Sequence, residues 1–227
     1  MLFVNFGYSQ TLKEGWTSFD GYIRDNDIVV NIHRDNTGFL MGDYCYKKNE
    51  TRIPLKGRIT GTTIFLDEFT DGKITAKFSG KINEKDNTVT GKFSSTTHSD
   101  MTFFLSMGSW TGNSLDNRYG MTVADTQIEL FFKRAKTAIL ANNKTWLAKN
   151  VQYPFNLNSA KKKIQIKDAK SFLANYSKIV TKDYQSNIRK ACVCDIFANT
   201  HGAMIGSGAL WINETKNHKL KIIAINN

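Results

Sequence analysis

The cysteine and histidine side chains of this sequence are of the types that most often bind zinc. The cysteines are Cys45, Cys192 and Cys194, and the last two form a C-x-C pattern that places both on one face of a strand. The histidines stand singly, at positions His33, His98, His201 and His218. A zinc site needs several such ligands at short, characteristic spacings, and the sequence contains no such set. We therefore predict no metal site and no cofactor.

A cluster of lysines is the sharpest electrostatic feature of the sequence. Lys161, Lys162 and Lys163 follow one another, and Lys167 and Lys170 come shortly after. One interpretation is a solvated hairpin edge that the lysines protect against aggregation. The other is a surface that steers an acidic protein partner. In that second interpretation the partner-binding residues are Lys161, Lys163, Lys167, Arg189 and Lys190.

The excess positive charge is confined to the second half of the chain. Residues 1–112 contain 13 Lys and Arg against 13 Asp and Glu, whereas residues 113–227 contain 18 against 7, which accounts for the whole net charge of +11. This asymmetry favours two domains over one, and an acidic partner for the second. Nucleic acid is disfavoured as a partner, because no basic recognition helix, zinc finger or RNA-binding sheet motif is visible.

Residues 16–106 are predicted to form about eight short strands joined by turns of a few residues, which is the pattern of an antiparallel meander. In the segment KITAKFSGKI, the residues Ile74, Ala76, Phe78, Gly80 and Ile82 share one face and polar residues share the other. Such strands close into a barrel or stack as a flattened sandwich. We predict a barrel over residues 1–112. Its interior is either filled by its own side chains or hollow enough to hold a ligand, and the inward Ile, Phe, Leu and Ala residues favour a filled one.

Residues 107–121, MGSWTGNSLDNRYGM, interrupt this pattern and predict a linker at 113–120 before a second domain at 121–227. Helical spacing marks residues 122–150 and 168–190, with Asp168 as a cap. Residues 191–227 are predicted to form three strands of one curved antiparallel sheet. The predicted fold class is therefore α+β, with an N-terminal barrel followed by helices packed on a curved sheet.

The order of elements in the second half resembles a known superfamily. The segments VQYPFNLN, KDAKSFLANYSKIV, GAMIGSGALWI and KLKIIAIN follow one another as they do in nuclear-transport-factor-two-like proteins, also called ketosteroid-isomerase-like. The resemblance covers about the last hundred residues. It implies a cone-shaped domain with a pocket between helices and sheet, in a group that includes isomerases, dehydratases, ligand binders and protein-binding modules.

Isomerase chemistry in such a pocket would need a carboxylate base and an acid or phenol that holds the developing oxyanion. Under this resemblance the catalytic candidates are Asp195, His201 and Tyr176, and the pocket-lining candidates are Tyr153, Phe197 and Trp211. Each candidate also has an ordinary structural role open to it. An aspartate in a strand pairs with a basic side chain, a histidine in NTHG lies in a turn, and a helical tyrosine packs in the core.

Two hypotheses for function follow. The first is a non-enzymatic binding protein, such as an immunity protein that neutralises a bacterial toxin with an acidic surface. The alternative is a small-ligand carrier or an isomerase or dehydratase that uses the cone pocket. The first residues show neither a basic leader nor a long apolar core, and no membrane span is evident, so a cytoplasmic location is expected. A periplasmic location is the alternative if a signal peptide has been removed.

Overall fold

The computed structural model describes residues 12–96, 100–159 and 162–227, with only the backbone for residues 156–159 and 162–164. The chain divides into two compact units, Met1–Leu115 and Asp116–Asn227. Each unit is described by itself below. The domain limits predicted from the sequence, 1–112 and 121–227, stay a prediction.

The first unit is a closed barrel of eight antiparallel strands in sequence order. The strands are β1 (Gly15–Ile23), β2 (Asn26–Arg34), β3 (Phe39–Tyr46), β4 (Arg52–Thr60), β5 (Thr63–Thr70), β6 (Lys73–Asn83), β7 (Thr88–Ser95) and β8 (Met101–Thr111). The first and last strands close the ring, with Trp16 facing Thr111 and Ile23 facing Phe103. The predicted antiparallel barrel is thus confirmed, and the sandwich alternative is excluded for this unit.

Short turns set the barrel's register. Between β5 and β6, Asp71 and Gly72 both have positive φ, at 51° and 75°, which is the conformation that a tight Asp-Gly hairpin turn requires. Gly80 meets a different need, since a Cβ there would lie 2.6 Å from the Phe103 ring. The missing side chain lets that ring occupy the barrel interior.

Aromatic rings fill the centre of the barrel. Phe78 is 1% exposed and makes edge-on contacts with three rings, with centroid distances of 4.8 Å to Phe93, 5.3 Å to Phe103 and 5.3 Å to Tyr44. Around them lie aliphatic side chains that alternate inward along every strand, as the period of two predicts. A core of this kind contributes most of the stabilisation of the unit through buried apolar area.

The second unit consists of five helices and two small antiparallel sheets in its described part. The helices are α1 (Asp125–Leu140), α2 (Lys144–Asn150), α3 (Ala169–Ala174), α4 (Tyr176–Ile179) and α5 (Lys182–Lys190). The strands are β9 (Phe155–Ser159) and β10 (Lys162–Ile166) in one sheet, and β11 (Phe197–Asn199), β12 (Gly202–Ile205), β13 (Leu210–Glu214) and β14 (Leu220–Ile225) in the other. One buried cluster, which includes Phe132, Phe172, Ile188 and Leu210, joins helices and sheet.

Side-chain caps begin three of these helices. Asn143 accepts a hydrogen bond from the backbone N–H of Trp146 at α2, and Thr181 accepts one from Tyr184 at α5. At α3, Asp168 accepts from the Ser171 N–H at 2.7 Å, while the Ser171 hydroxyl oxygen accepts from the Asp168 N–H at 3.0 Å. The predicted cap at Asp168 is confirmed, and it is a complete capping box.

The predicted α+β fold class is wrong, because the protein is mostly β. The eight-stranded barrel dominates the chain, and a cone of helices packed on a long curved sheet does not form in the described part of the second unit. Its strands β11–β14 are only three to six residues long, and only α1 exceeds nine residues. Elements this short cover a small core from several sides; they do not make a single curved sheet with a helical lid.

Two turns explain the error in the C-terminal strands. The segment AMIGSGALWINE is a hairpin and not one strand, because Gly206, Ser207 and Gly208 all have positive φ. The preceding segment also turns, with the Asp195 N–H donating to the carbonyl of Cys192. The sheet therefore begins only at Phe197.

In the described part of the chain, no helix combines the length and the apolar character that crossing a membrane requires.

Candidate binding surfaces

An open groove runs over the outer face of the barrel across strands β3–β6. Its volume is about 630 Å³. We call it the barrel groove, and it is lined by Phe39, Lys56, Gly57, Arg58, Phe65, Leu66, Asp67, Phe69, Lys77, Phe78 and Ser79. These residues combine exposed aromatic rings with basic side chains, which is a composition typical of binding surfaces.

The strand register places these side chains in two rows. In the first row, Phe39 faces Arg58 and Arg58 faces Phe65 on the neighbouring strand. In the second row, Asp67 faces Lys56 on one side and Lys77 on the other. Because side chains alternate along each strand, both rows point outward while Leu66 and Phe78 point into the core.

The aromatic rings of the groove are costly to leave in water. Phe39 is 43% exposed and Phe65 is 46% exposed. Each ring could still bury a large apolar area, at a gain of roughly 25 cal/mol per Å². A third ring, Phe69, has the Lys56 ammonium 5.5 Å from its centroid. The groove therefore offers apolar contact flanked by three cations, Lys56, Arg58 and Lys77.

Gly57 allows strands β4 and β5 to approach each other closely beneath the barrel groove. A Cβ at this position would lie 1.9 Å from the carbonyl oxygen of Phe65, a distance that no side chain can tolerate. The close approach of β4 and β5 thus requires glycine here. Gly57 pairs with the buried residues Leu40 and Leu66, so it belongs to the inward row, and its missing side chain brings the two strands together beneath the outward rows.

The barrel also holds a polar cluster around Glu68. One carboxylate oxygen accepts a hydrogen bond from the Tyr44 hydroxyl at 2.5 Å, and the other accepts from the Thr75 hydroxyl at 2.5 Å. Burial, followed by the hydrogen bond to Glu68, raises the pKa of Tyr44. Tyr44 therefore stays a neutral donor. Because the barrel's own hydroxyls engage both oxygens, we assign this cluster to stability and not to catalysis.

The structure places the three predicted catalytic residues on separate elements. Asp195 is exposed and precedes β11, outside the strand that was expected to contain it. His201 lies in a turn, where its N–H donates to the Asn199 side chain at 2.8 Å. Tyr176 begins α4 and is 5% exposed, with its hydroxyl 3.4 Å from the Asn142 side-chain oxygen. Their catalytic roles gain no support from these positions.

The three predicted pocket residues fall into two places. Phe197 faces Met204, and Met204 faces Trp211, so both aromatic residues are half-buried in one row across β11–β13. Tyr153 follows α2, and its hydroxyl donates to the carbonyl of Ala148 at 2.7 Å. Burial, with the nearby charge of Asp168, raises the pKa of Tyr153 to about 12. The cavities described for this unit are lined by other residues.

The predicted partner-binding lysines are only partly described. Lys161 lies outside the described residues, and only the backbone of Lys163 is described, in β10. Lys167 is exposed just after β10. Arg189 and Lys190 are exposed in the last turn of α5, where positive charge stabilises the carbonyl end of a helix. Their role in partner binding stays a prediction.

The sequence analysis did not single out the residues of the barrel groove. The signal was present in the alternation of TTIFLDEF, which places Ile64 and Leu66 inward and therefore Phe65 outward. An aromatic residue at an outward position beside a charged residue, here Arg58, is the pattern that marks such a surface.

No protein-family model matches this chain, and no curated protein matches it either. The proposed resemblance to the nuclear-transport-factor-two-like superfamily stays a prediction.

Proposed function

We propose that this protein is a non-enzymatic binding protein that holds an acidic protein partner in the barrel groove. The observation that carries the proposal is the pair of half-exposed rings, Phe39 and Phe65, with Arg58 between them. Interface centres are enriched in aromatic residues and arginine, and such residues dominate binding energy. Lys56 and Lys77 add positive charge beside the rings.

Charge favours a protein over a nucleic acid in this groove. Stacked aromatic rings with flanking cations also suit single-stranded nucleic acid. However, the Asp67 carboxylate lies between Lys56 and Lys77 and would face a phosphate backbone. The barrel sequence is also balanced, with 13 basic and 13 acidic residues in 1–112. A protein segment with a few carboxylates around an apolar side chain matches this pattern better.

The closed ring defines how a partner would bind. A partner often adds a strand to an exposed sheet edge, but the eight strands pair in a complete circle. Docking on the barrel therefore uses side chains and not backbone pairing. An apolar side chain of the partner would pack against the Phe39 and Phe65 rings, and Arg58 would pair with a neighbouring carboxylate.

The class of partner that we propose is a bacterial toxin, which would make this chain an immunity protein. An inhibitor of this kind acts by covering a surface and needs no chemistry of its own. The basic second unit, including Lys167, Arg189 and Lys190, would raise the rate of association with an acidic toxin. The alternative of an isomerase or carrier relied on a cone pocket, and a cone of helices on a long curved sheet is not present in the described part of the second unit.

A peptide titration tests the groove directly. The probe is a synthetic peptide with one phenylalanine flanked by aspartates, and its control is the same peptide with asparagines. Addition of the acidic peptide should shift the backbone NMR signals of β3–β6, and Phe65→Ser should weaken binding about tenfold. Tyr22→Ser is the matched variant, because Tyr22 is 44% exposed but lies outside the groove on β1.

Three results would contradict this assignment. They are equal binding of the two peptides, an equal effect of the Tyr22 and Phe65 variants, and tighter binding of a single-stranded oligonucleotide than of the acidic peptide.

The immunity role has a separate test in cells. A toxin encoded by the adjacent gene should be neutralised by the wild-type protein but not by Phe65→Ser, and neutralisation by neither protein rejects the role.

A further inference from the structure

A second cavity, independent of the barrel groove, lies within the second unit beside α1, the end of α2 and the start of β14. Its volume is about 500 Å³. The residues that line it are Val123, Gln127, Leu130, Phe131, Arg134, Lys149, Asn150, His218, Lys219, Leu220 and Lys221. All of them belong to the described part of the chain, and we call this cavity the basic pocket.

Its charged lining is entirely positive. Arg134, Lys149, Lys219 and Lys221 line the pocket, and none of its lining residues carries a carboxylate. Lys221 is the most enclosed of the four, and its ammonium donates to the carbonyl of Lys149 at 2.5 Å. Burial, and then the charges of Lys219 and Lys149, lower the pKa of Lys221. Like charges held together in this way favour a bound anion.

His218 is held in place at the edge of the pocket by a hydrogen bond to Thr122. The Thr122 hydroxyl donates to the Glu214 carboxylate at 2.7 Å, so its oxygen accepts from His218 Nδ1–H at 2.6 Å. Burial would raise the pKa of Glu214, but the hydrogen bonds from Thr122 outweigh it and hold the pKa low. Glu214 therefore stays charged and keeps the ring in place.

The other wall of the pocket is apolar. Val123, Leu130, Phe131 and Leu220 line it, and Leu130 is 45% exposed although it belongs to the middle of α1. Lysines and arginines that are merely solvated do not require an apolar surface beside them. A ligand with an anionic head and an apolar body would contact both sides at once.

We propose that the basic pocket is a binding site for a small organic anion that has an aromatic or short aliphatic body. Its head group is a carboxylate or a phosphate monoester. The head lies among Arg134, Lys149 and Lys219, and the body lies against Leu130 and Phe131. The pocket thus gives the basic second unit a specific ligand site and not only a general positive field.

NMR titration of the full chain with three small probes tests this site. Phenyl phosphate and benzoate carry the two head groups, and benzyl alcohol has the same ring without charge. Saturable shifts at Leu130, Phe131 and Lys219 with either anion support the proposal, and the tighter anion identifies the head group. The proposal is overturned if neither anion saturates these signals, or if benzyl alcohol binds as tightly as the anions.

Two double variants distinguish specific binding in the pocket from a general attraction of anions to the positive charge of the second unit. Arg134→Gln with Lys219→Gln removes two cations from the lining and should weaken the tighter anion about fivefold or more. Lys133→Gln with Lys216→Gln removes the same charge from exposed positions outside the lining and should leave its affinity within about twofold. Equal weakening in both variants would overturn the proposal. Thermal unfolding of each variant checks that the second unit remains folded.

Discussion

The two units of this protein are stabilised in different ways. The barrel has long strands of eight to eleven residues, and its core is a single cluster of inward side chains. The second unit has short helices and strands, several of which depend on one cap or one turn for their position. A single repeated strand pattern determines the fold of the barrel, whereas many separate caps and turns determine the fold of the second unit.

This difference also determines where each binding site lies. The barrel groove comes from outward positions on neighbouring strands, so register alone brings Phe39, Arg58 and Phe65 together. The basic pocket comes from separate elements, because Arg134 belongs to α1, Lys149 to α2 and Lys221 to β14. A regular sheet displays a site on its surface, and an irregular unit forms one where elements meet.

The largest effect is expected in the barrel core. Phe78→Ala removes a ring that contacts Tyr44, Phe93 and Phe103, and should lower the free energy of unfolding of the barrel by about 3–5 kcal/mol. Phe65→Ala removes the same ring type from the exposed face and should cost less than about 1 kcal/mol. Urea unfolding followed through the NMR signals of barrel residues measures both. Similar losses for the two variants would mean that the barrel has no single dominant core.

Intermediate effects should distinguish the buried tyrosines of the two units. The Tyr44 hydroxyl donates to a carboxylate, whereas the Tyr184 hydroxyl donates to the carbonyl of Ala209 at 3.2 Å. Hydrogen bonds to charged groups contribute more, so Tyr44→Phe should cost about 1.5–3 kcal/mol and Tyr184→Phe about 0.5–1.5 kcal/mol. Urea unfolding of each unit at pH 8 gives the comparison, and a larger loss for Tyr184→Phe would contradict it.

The same tyrosines predict how stability falls at high pH. Burial raises the pKa of both above the usual value of 10.0. The unfolded chain therefore loses these protons first as the pH rises past about 10, and the folded state is progressively destabilised. Each Tyr→Phe variant should lose less stability than wild type between pH 9 and about 11, measured by urea unfolding. An unchanged pH dependence would show that another group is responsible.

The smallest effects should come from the helix caps of the second unit. The hydrogen bond from the backbone N–H of Ser171 lowers the pKa of Asp168 below the usual 3.8, and a hydrogen bond from the Ser171 side chain lowers it further. Its contribution is present above pH 3.8 and is lost as the pH falls through the lower folded-state value. Asp168→Ala should therefore reduce the melting temperature at pH 7 and make less difference at pH 2–3.

Thr181 provides the control for this pH dependence, because its hydroxyl caps α5 without titrating. Thr181→Ala should cost about 1 kcal/mol and the loss should be the same at both pH values. Circular dichroism melts of both variants test the pair. A loss for Asp168→Ala that does not shrink in acid would mean that the charge of the cap is irrelevant.

The sequence was sufficient to predict the barrel but not the C-terminal sheet. Alternation over long strands is a repeated signal, and short turns between them force neighbouring pairs. In the second half, apolar residues alternate at Cys192, Cys194, Ile196 and Ala198, which is the spacing expected of a strand. The chain nevertheless turns before Phe197, so most of this segment is not a strand. The cap at Asp168 could be predicted, because capping depends on neighbouring residues alone.

The sites were harder to predict than the fold. Phe65 could have been found from alternation, since its outward position follows from the inward positions of its neighbours. The basic pocket could not, because no spacing in the sequence links Arg134 to Lys221. The expected role of Asp195 depended on a cone that is not present among the described residues, and its predicted position in a strand was wrong because β11 begins only at Phe197.

The pairing of β1 with β8 has a consequence for how the barrel could be rebuilt. Trp16 faces Thr111, so the two ends of the strand sequence meet at one side of the ring. A short linker could join them, and new termini could be opened at the Asp71–Gly72 turn without breaking a ladder. The ring therefore has no intrinsic first strand. Circular permutation, or insertion of the whole barrel as a guest in a loop of another protein, should preserve the groove on β3–β6.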